Sequence, residues 1–295
     1  MSLAKLHNTP AGRVFDVFNI IILGLIGILT VLPFAYIIAG SFATEAELAR
    51  RSFFIFPEIF SFDAYKYIFS TNTFVRSLLV SIFVTTAGTI VCLLFTFSMA
   101  YPLSRKHLLG RNFFLNMVIF SMLFGGGMIP TFLVVKNLGL LDTYWALILP
   151  LAINPFNLII VKTFFQNIPF ELEESAKMDG ATEFDVFWRI MLPLSKPVLA
   201  TFALFYAVGI WNDFFSALLY INDNTKLPVQ VLLQQIIILS QGLGADASMG
   251  GDYVEPPDQS LKLAVVVVAT IPILIVYPFL QKHFAKGMLL GSVKG

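Results

Sequence analysis

Six separate apolar stretches, at residues 17–40, 74–101, 113–135, 143–161, 197–221 and 263–280, constrain this chain more than anything else in it. Each approaches the roughly 20 residues a helix needs to cross hydrocarbon, where an unpaired backbone N–H or C=O finds no water. The chain therefore reads as all-α, a polytopic membrane protein with six transmembrane helices in a single transmembrane domain over 1–295. Composition agrees. Of 295 residues, 57% are hydrophobic and 13% charged, with a mean hydropathy of +0.82; soluble domains carry about a quarter charged residues. That mixture excludes a soluble enzyme and a disordered adaptor. The first stretch is too long for the apolar region of a signal peptide, and an ordinary loop sequence follows it. A net charge of +1 offers no field for nucleic acid, so none is expected as a partner. Cys92, the single cysteine, rules out internal disulfides and sits in an apolar run as a small packing residue.

Lysine and arginine set the orientation. With the N-terminus inside, the cytosolic segments hold twelve of the 19 cations, among them Arg105, Lys106 and Arg111 in a short connection without an acid. Both termini are therefore expected in the cytosol, in a multi-pass membrane protein. The apolar run at 227–239 is too short to be a seventh span and carries Gln230, Gln234 and Gln235. With Pro228 at its start, it reads as a short amphipathic helix on the outer surface. It lies in an outer loop at 222–260, whose later part is rich in glycine, acid and proline. That part is either a docking element or a plain solvated linker. The segment 41–73, with Phe53, Phe54, Ile55 and Phe56, is a second candidate docking surface.

Most chemistry is missing from the chain. No G-x-x-x-x-G-K-[ST] is present to cradle nucleotide phosphates, no H-E-x-x-H to bind zinc, and no G-x-S-x-G elbow. His7, His107 and His283 are scattered over the expected cytosolic segments. No catalytic residue and no metal site are expected. Intramembrane charge, which ion-coupled carriers and pumps need, comes down almost to Asp213. The driving force is therefore expected on another chain. Glycine and proline interrupt the third span at 125–130 and the fourth at Asn154-Pro155-Phe156-Asn157. Such breaks mark either a hinge or solute path, or close helix packing.

The polar loop at 167–196 carries the clearest pattern. Pro169 is expected to open a first helix, with Glu171, Glu173 and Glu174 in its early turns, Lys177 near its end and Gly180 as its stop. Thr182 and Asp185 suit a capping box for a second helix ending at Pro193. Phe184, Phe187, Trp188 and Met191 then form an apolar stripe with nothing of its own to bury against, suited to another protein's groove.

The run Glu174-Ser175-Ala176, three residues, Gly180, nine residues, then Ile190-Met191-Leu192-Pro193 resembles the E-A-A-x3-G-x9-I-x-L-P coupling loop of binding-protein-dependent ABC importer permeases. Serine replaces the middle alanine. Gly209-Ile210-Trp211-Asn212-Asp213-Phe214 and the tail Lys286–Gly295 further resemble the carbohydrate-uptake type, most of all the shorter six-span permease of the maltodextrin importer. The resemblance implies the type I importer fold with a cytosolic coupling helix, in a bacterial plasma (inner) membrane. It implies a non-catalytic channel subunit for a carbohydrate, an oligosaccharide above all; a permease for a peptide or amino acid is the alternative. The implied partners are a homologous second permease, two ATP-binding cassette subunits, an extracytoplasmic sugar-binding protein and the lipid bilayer. No cofactor is expected on this chain, with ATP and magnesium on the partner ATPases. Coupling roles fall by resemblance on Glu174, Ser175, Ala176, Asp179, Gly180, Ala181, Ile190, Leu192 and Pro193. Gly180 is expected to turn the backbone where a side chain would clash. Trp211, Asn212, Asp213, Asn154 and Asn157 are candidates for the translocation path, with packing of the bundle as the competing role for Asp213.

Overall fold

A computed structural model describes residues 10–240 and 259–292, and among them every regular element is helical. The chain divides into two compact units, one of Met1–Thr71 with Ile236–Val268 and one of Asn72–Gln235 with Ala269–Gly295.

The first unit opens with α1 (Pro10–Ser41). Its apolar side chains stand exposed over the whole hydrophobic window, as suits a helix whose surroundings are lipid rather than water. After it come α2 (Glu45–Arg50) and α3 (Asp63–Ser70). Ala39, Ala43, Leu48 and Phe54 form a small core, with Tyr36 and Leu263 packed against it. Glu47 is buried beneath the 50–58 segment, where both its carboxylate oxygens accept from Glu58 N at 3.0 Å and Arg51 pairs with it at 2.8 Å. The Glu58 N–H holds that carboxyl below the usual range. Glu45 receives Gln259 N and Ser260 N at 3.1 and 3.2 Å, the first amides of the long C-terminal helix (Gln259–Ser292). A carboxylate there meets the positive end of the helix dipole.

The second unit is built on α4 (Asn72–Ser104). It continues through α5 (Arg111–Leu123), α6 (Met128–Asn137), α7 (Trp145–Ile148, prolonged by a 3₁₀ turn to Leu151) and α8 (Pro155–Asn167). Next come α9 (Glu171–Met178), α10 (Glu183–Leu194), α11 (Lys196–Asn212), α12 (Phe215–Tyr220) and α13 (Val229–Ser240), and the Gln259–Ser292 helix is α14. Its core packs α8 and α11 against α4.

Three of the expected spans are not single straight helices. The third is α5 and α6 bent by 120° at the glycine run. No other atom lies within 4 Å of a Cβ built at Gly125 or Gly127, so within this chain those glycines do not serve close packing. The fourth is the pair Trp145–Leu151 and α8, bent by 53°. The fifth ends at Asn212 rather than near 221, because the chain breaks at Asp213 and Phe214 before α12. Among the described residues three helices are long and apolar enough to span a bilayer, or up to six if each bent pair, with α10 and α11 (80°) as the third, counts as one. The short helix expected from Pro228 onward is present as α13. The outer-loop sequence 241–258 and the end of the tail, 293–295, lie outside the described residues.

Candidate functional site

The loop at 167–196 folds as two helices around a glycine turn. Glutamates 171, 173 and 174 occupy the first turn of α9 and Lys177 the last, both favourable to the helix dipole. The helix opens at Glu171, two residues after Pro169. Its end is a Schellman arrangement: Gly180 N donates to Lys177 O and Ala181 N to Ala176 O, each at 3.0 Å, with Gly180 at φ +86°. No atom lies within 4 Å of a Cβ built on Gly180. The expected clash is therefore absent, and the glycine is required for its left-handed backbone alone.

The capping box of α10 is complete. Thr182 Oγ1 accepts from Asp185 N at 3.2 Å, and Asp185 Oδ2 accepts from Thr182 N and Oγ1 at 3.2 and 2.6 Å. Those Thr182 bonds, the hydroxyl's first, lower the Asp185 pKa. From Val186 to Met191 the helix widens into a π turn, and Pro193 lies inside the final turn, which runs to Leu194.

The aromatic stripe proves to be divided. Phe184 is 70% exposed and Trp188 stands outside, while Phe187 and Met191 are buried. Phe187 packs on Tyr101 with ring centroids 5.3 Å apart, and Met191 Sδ receives Arg105 Nη2 at 3.6 Å. The arm thus has a surface of its own to lie on, the end of α4, which a reading of the loop alone could not supply.

Charge fastens it there. Glu173 is 1% exposed, and Arg105, just beyond α4, is 9% exposed. Arg105 Nη2 lies 2.6 Å from Glu173 Oε2, an ionic contact rather than an aligned hydrogen bond, since that oxygen has no donor directed at it. The guanidinium also covers the Tyr101 ring at 4.8 Å. Lys177 Nζ donates to Glu173 Oε1 at 2.9 Å and to Glu183 Oε1 at 2.5 Å, and Tyr101 Oη donates to Glu183 Oε2 at 3.0 Å. Bonding to Glu183, then Glu173, pushes the Lys177 pKa up to about 12, and Lys177 in turn lowers that of Glu183. Sequence reasoning missed this network. Its one local trace is the i,i+4 spacing of Glu173 and Lys177.

Of the expected coupling residues, Glu174, Ser175, Asp179, Gly180 and Pro193 are exposed, whereas Ala176, Ala181, Ile190 and Leu192 are half-buried. Met178 (88% exposed) and Phe184 add apolar surface beside the acids. The arm therefore offers a knob of mixed acidic and apolar character.

The second candidate group meets at a cleft of about 360 Å³ lined by Asn154, Asn157, Tyr206, Gly209, Ile210 and Asp213 among others. Asn154 caps α8, its side chain accepting from Asn157 N at 3.1 Å, with Pro155 in the first helical position. Tyr206 Oη receives Asn154 N at 3.3 Å and meets Thr96 Oγ1 at 2.7 Å. Asp213 ends α11 instead of lying within a span, and its carboxylate accepts from Ser216 N at 3.1 Å. Trp211 and Asn212 do not line this cleft. Trp211 is buried, and the Asn212 amide donates to Val208 O at 2.8 Å. Tyr206 and Thr96 went unnoticed in the sequence. Among the described residues, no cluster of three or more His, Cys, Asp or Glu could hold a metal ion.

Over residues 2–290 the chain matches the family described as binding-protein-dependent transport system inner membrane component. It is 71% identical over 290 residues to Protein LplC of Bacillus subtilis (strain 168), covering 98% of each chain. It is 58% identical over 283 residues to the polygalacturonan/rhamnogalacturonan transport system permease protein YtcP of the same organism, covering 96% of this chain and 99% of that one. Among solved structures it is similar to a chain of a bacterial ABC transporter involved in the import of the acidic polysaccharide alginate. The TM-score is 0.85 at 32% identity, with 94% of this chain and 98% of the other covered.

Proposed function

The chain belongs to the binding-protein-dependent transport system inner membrane components, and on that premise we propose that it takes up an oligosaccharide as one permease subunit of an ATP-driven importer. It is a multi-pass membrane protein and a transport component. The observation that carries the sugar assignment is whole-length similarity to a polygalacturonan/rhamnogalacturonan permease and to a chain of an alginate importer. The remaining parts of the machine are a second, homologous permease, two ATPase subunits holding ATP and magnesium, and a sugar-binding protein outside. Both termini lie in the cytosol, in keeping with the distribution of lysine and arginine.

The arm is the seat of the ATPase. Glu174, Ser175 and Asp179, with exposed Met178 and Phe184, enter a cleft of that partner, and closure of the ATPase pair moves the arm and the helices behind it. The cleft at Asn154, Asn157, Tyr206 and Asp213 lies on the solute path. Amides, a phenol and a carboxylate match sugar hydroxyls, and no cation lines the cleft to read a carboxylate. The charge of an acidic sugar is therefore recognised elsewhere in the assembly.

Affinity purification of the tagged chain from its own host, with identification of co-eluting proteins, tests the class. A solute-binding protein and an ATPase are expected in the eluate. Growth of a deletion strain on oligosaccharides compared with peptides tests the substrate. Loss of peptide use with normal oligosaccharide use would overturn the sugar assignment.

A further inference from the structure

Gly180 alone would make a poor lever. Its turn is sterically open, so a force on the exposed face of the arm would fold α9 against α10 at that point instead of travelling onward. The charges prevent this. Lys177 of α9 is bonded to Glu183 of α10 across the turn, Glu173 of α9 is paired with Arg105 beyond α4, and Tyr101 of α4 closes the ring on Glu183. Opening the Arg105–Glu173 contact breaks a buried ion pair, which is strongly penalised, while Lys177 ties that buried carboxylate to the more exposed Glu183. The ring therefore resists partial opening.

The far side of the same helix reaches the cleft. Thr96 lies on α4 nine residues before Arg105, about 13 Å along a helix of 1.5 Å rise. Its hydroxyl meets Tyr206 Oη, which also holds Asn154 N.

We propose that Arg105, Glu173 and Lys177 are positioning residues that weld the arm to the end of α4, so that displacement of the arm reaches the cleft through Thr96 and Tyr206. The inference rests on the proposed function for its transport consequence but not for the weld itself, and the two are read separately.

The test uses the full chain in its native assembly with Cys92→Ser and spin labels at Leu94→Cys on α4 and Leu172→Cys on the arm, both exposed positions outside the face offered to the ATPase. The parent is expected to give one narrow distance distribution, broadened by Glu173→Gln and by Lys177→Met and narrowed again by Lys177→Arg. Lys177 is one-third exposed, so its variants report even if Glu173→Gln does not fold. In reconstituted vesicles, solute moved per ATP hydrolysed is expected to fall about 2- to 30-fold in the broadened variants, the range of coupling changes along a connected path. A distribution that stays narrow in both variants would overturn the weld. Broadening with an unchanged transport-to-hydrolysis ratio would overturn the transmission to the cleft. Broadening in an assembly that moves no sugar in any form would leave the weld standing and sink the proposed function instead.

Discussion

In the arm, most polar groups find partners within a turn or two of chain. Thr182 and Asp185 cap each other, Glu173 and Lys177 pair at i,i+4, and Lys177 reaches Glu183 six residues on. In the cleft Asn154 and Asp213 bond amides three residues on, but the bonds of Tyr206 are neutral and come from far away, from Asn154 N across 52 residues and Thr96 across 110. The arm is held by charge-assisted contacts, roughly twice as strong as neutral ones; the long-range bonds of Tyr206 that join the cleft's helices are neutral, about 0.5–1.5 kcal/mol each. A part that transmits force should deform little, and a part that admits and releases solute must rearrange. The chemistry at the two places follows that division.

The contrast is easiest to break at Arg105. Arg105→Ala removes the cation beside a carboxylate that is 1% exposed, and loss of one partner of a buried pair costs about 3–5 kcal/mol. Unfolding of the chain in detergent, followed by pulse proteolysis, should register most of that; a change below about 1 kcal/mol would erase the distinction between arm and cleft. In the cleft, Tyr206→Phe leaves Thr96 Oγ1 and Asn154 N without their shared partner, at a cost of about 1–3 kcal/mol. The expected readout is a smaller loss of stability than at Arg105 with a larger change in transport.

Gly180→Ala meets no neighbour, so its penalty is only the left-handed backbone, about 1–2 kcal/mol. Alanine and serine should cost the same there, whereas a steric requirement would separate them. Thr182→Ala removes one half of the capping box and is expected to cost about 1 kcal/mol.

The pH response is the smallest effect. Lys177 and Tyr101 hold the Glu183 carboxyl below its ordinary 4.5, so its contribution is complete above about pH 4.5 and is lost as acid protonates it in the fold. Lys177, raised to about 12, loses its share only as pH climbs through that value. A melting temperature recorded from pH 7 down to about pH 2 should fall below about pH 4.5 as the folded carboxyl is protonated, and Lys177→Met should flatten that fall.

Much of the arm was legible because caps, dipole charges and a glycine stop are written within a few residues of where they act. The aromatic stripe was misread for the opposite reason. Phe187 and Met191 rest on Tyr101 and Arg105, and nothing near 187 in the sequence announces a surface from α4. The membrane class was legible from hydropathy, but the bends were not. A glycine run shows that a span is interrupted, but it does not announce a turn of 120° between α5 and α6. Asn154, Asn157 and Asp213 were singled out as polar breaks in apolar runs and do meet at one cleft, whereas Trp211 and Asn212 of the same motif turn away from it.

The first unit joins the beginning of the chain to its end: Leu263 packs with Tyr36 at the small core, and Glu45 holds the opening amides of α14. A ribosome adding about 5–20 residues per second needs on the order of 10–40 s to make the polypeptide between those points. For that interval the small core of Ala39, Ala43, Leu48 and Phe54 lacks Leu263, so the insertion machinery or surrounding lipid must cover those apolar side chains until the C-terminal helix emerges. Truncations near the C-terminus should therefore reveal themselves as turnover of the newly made N-terminal part.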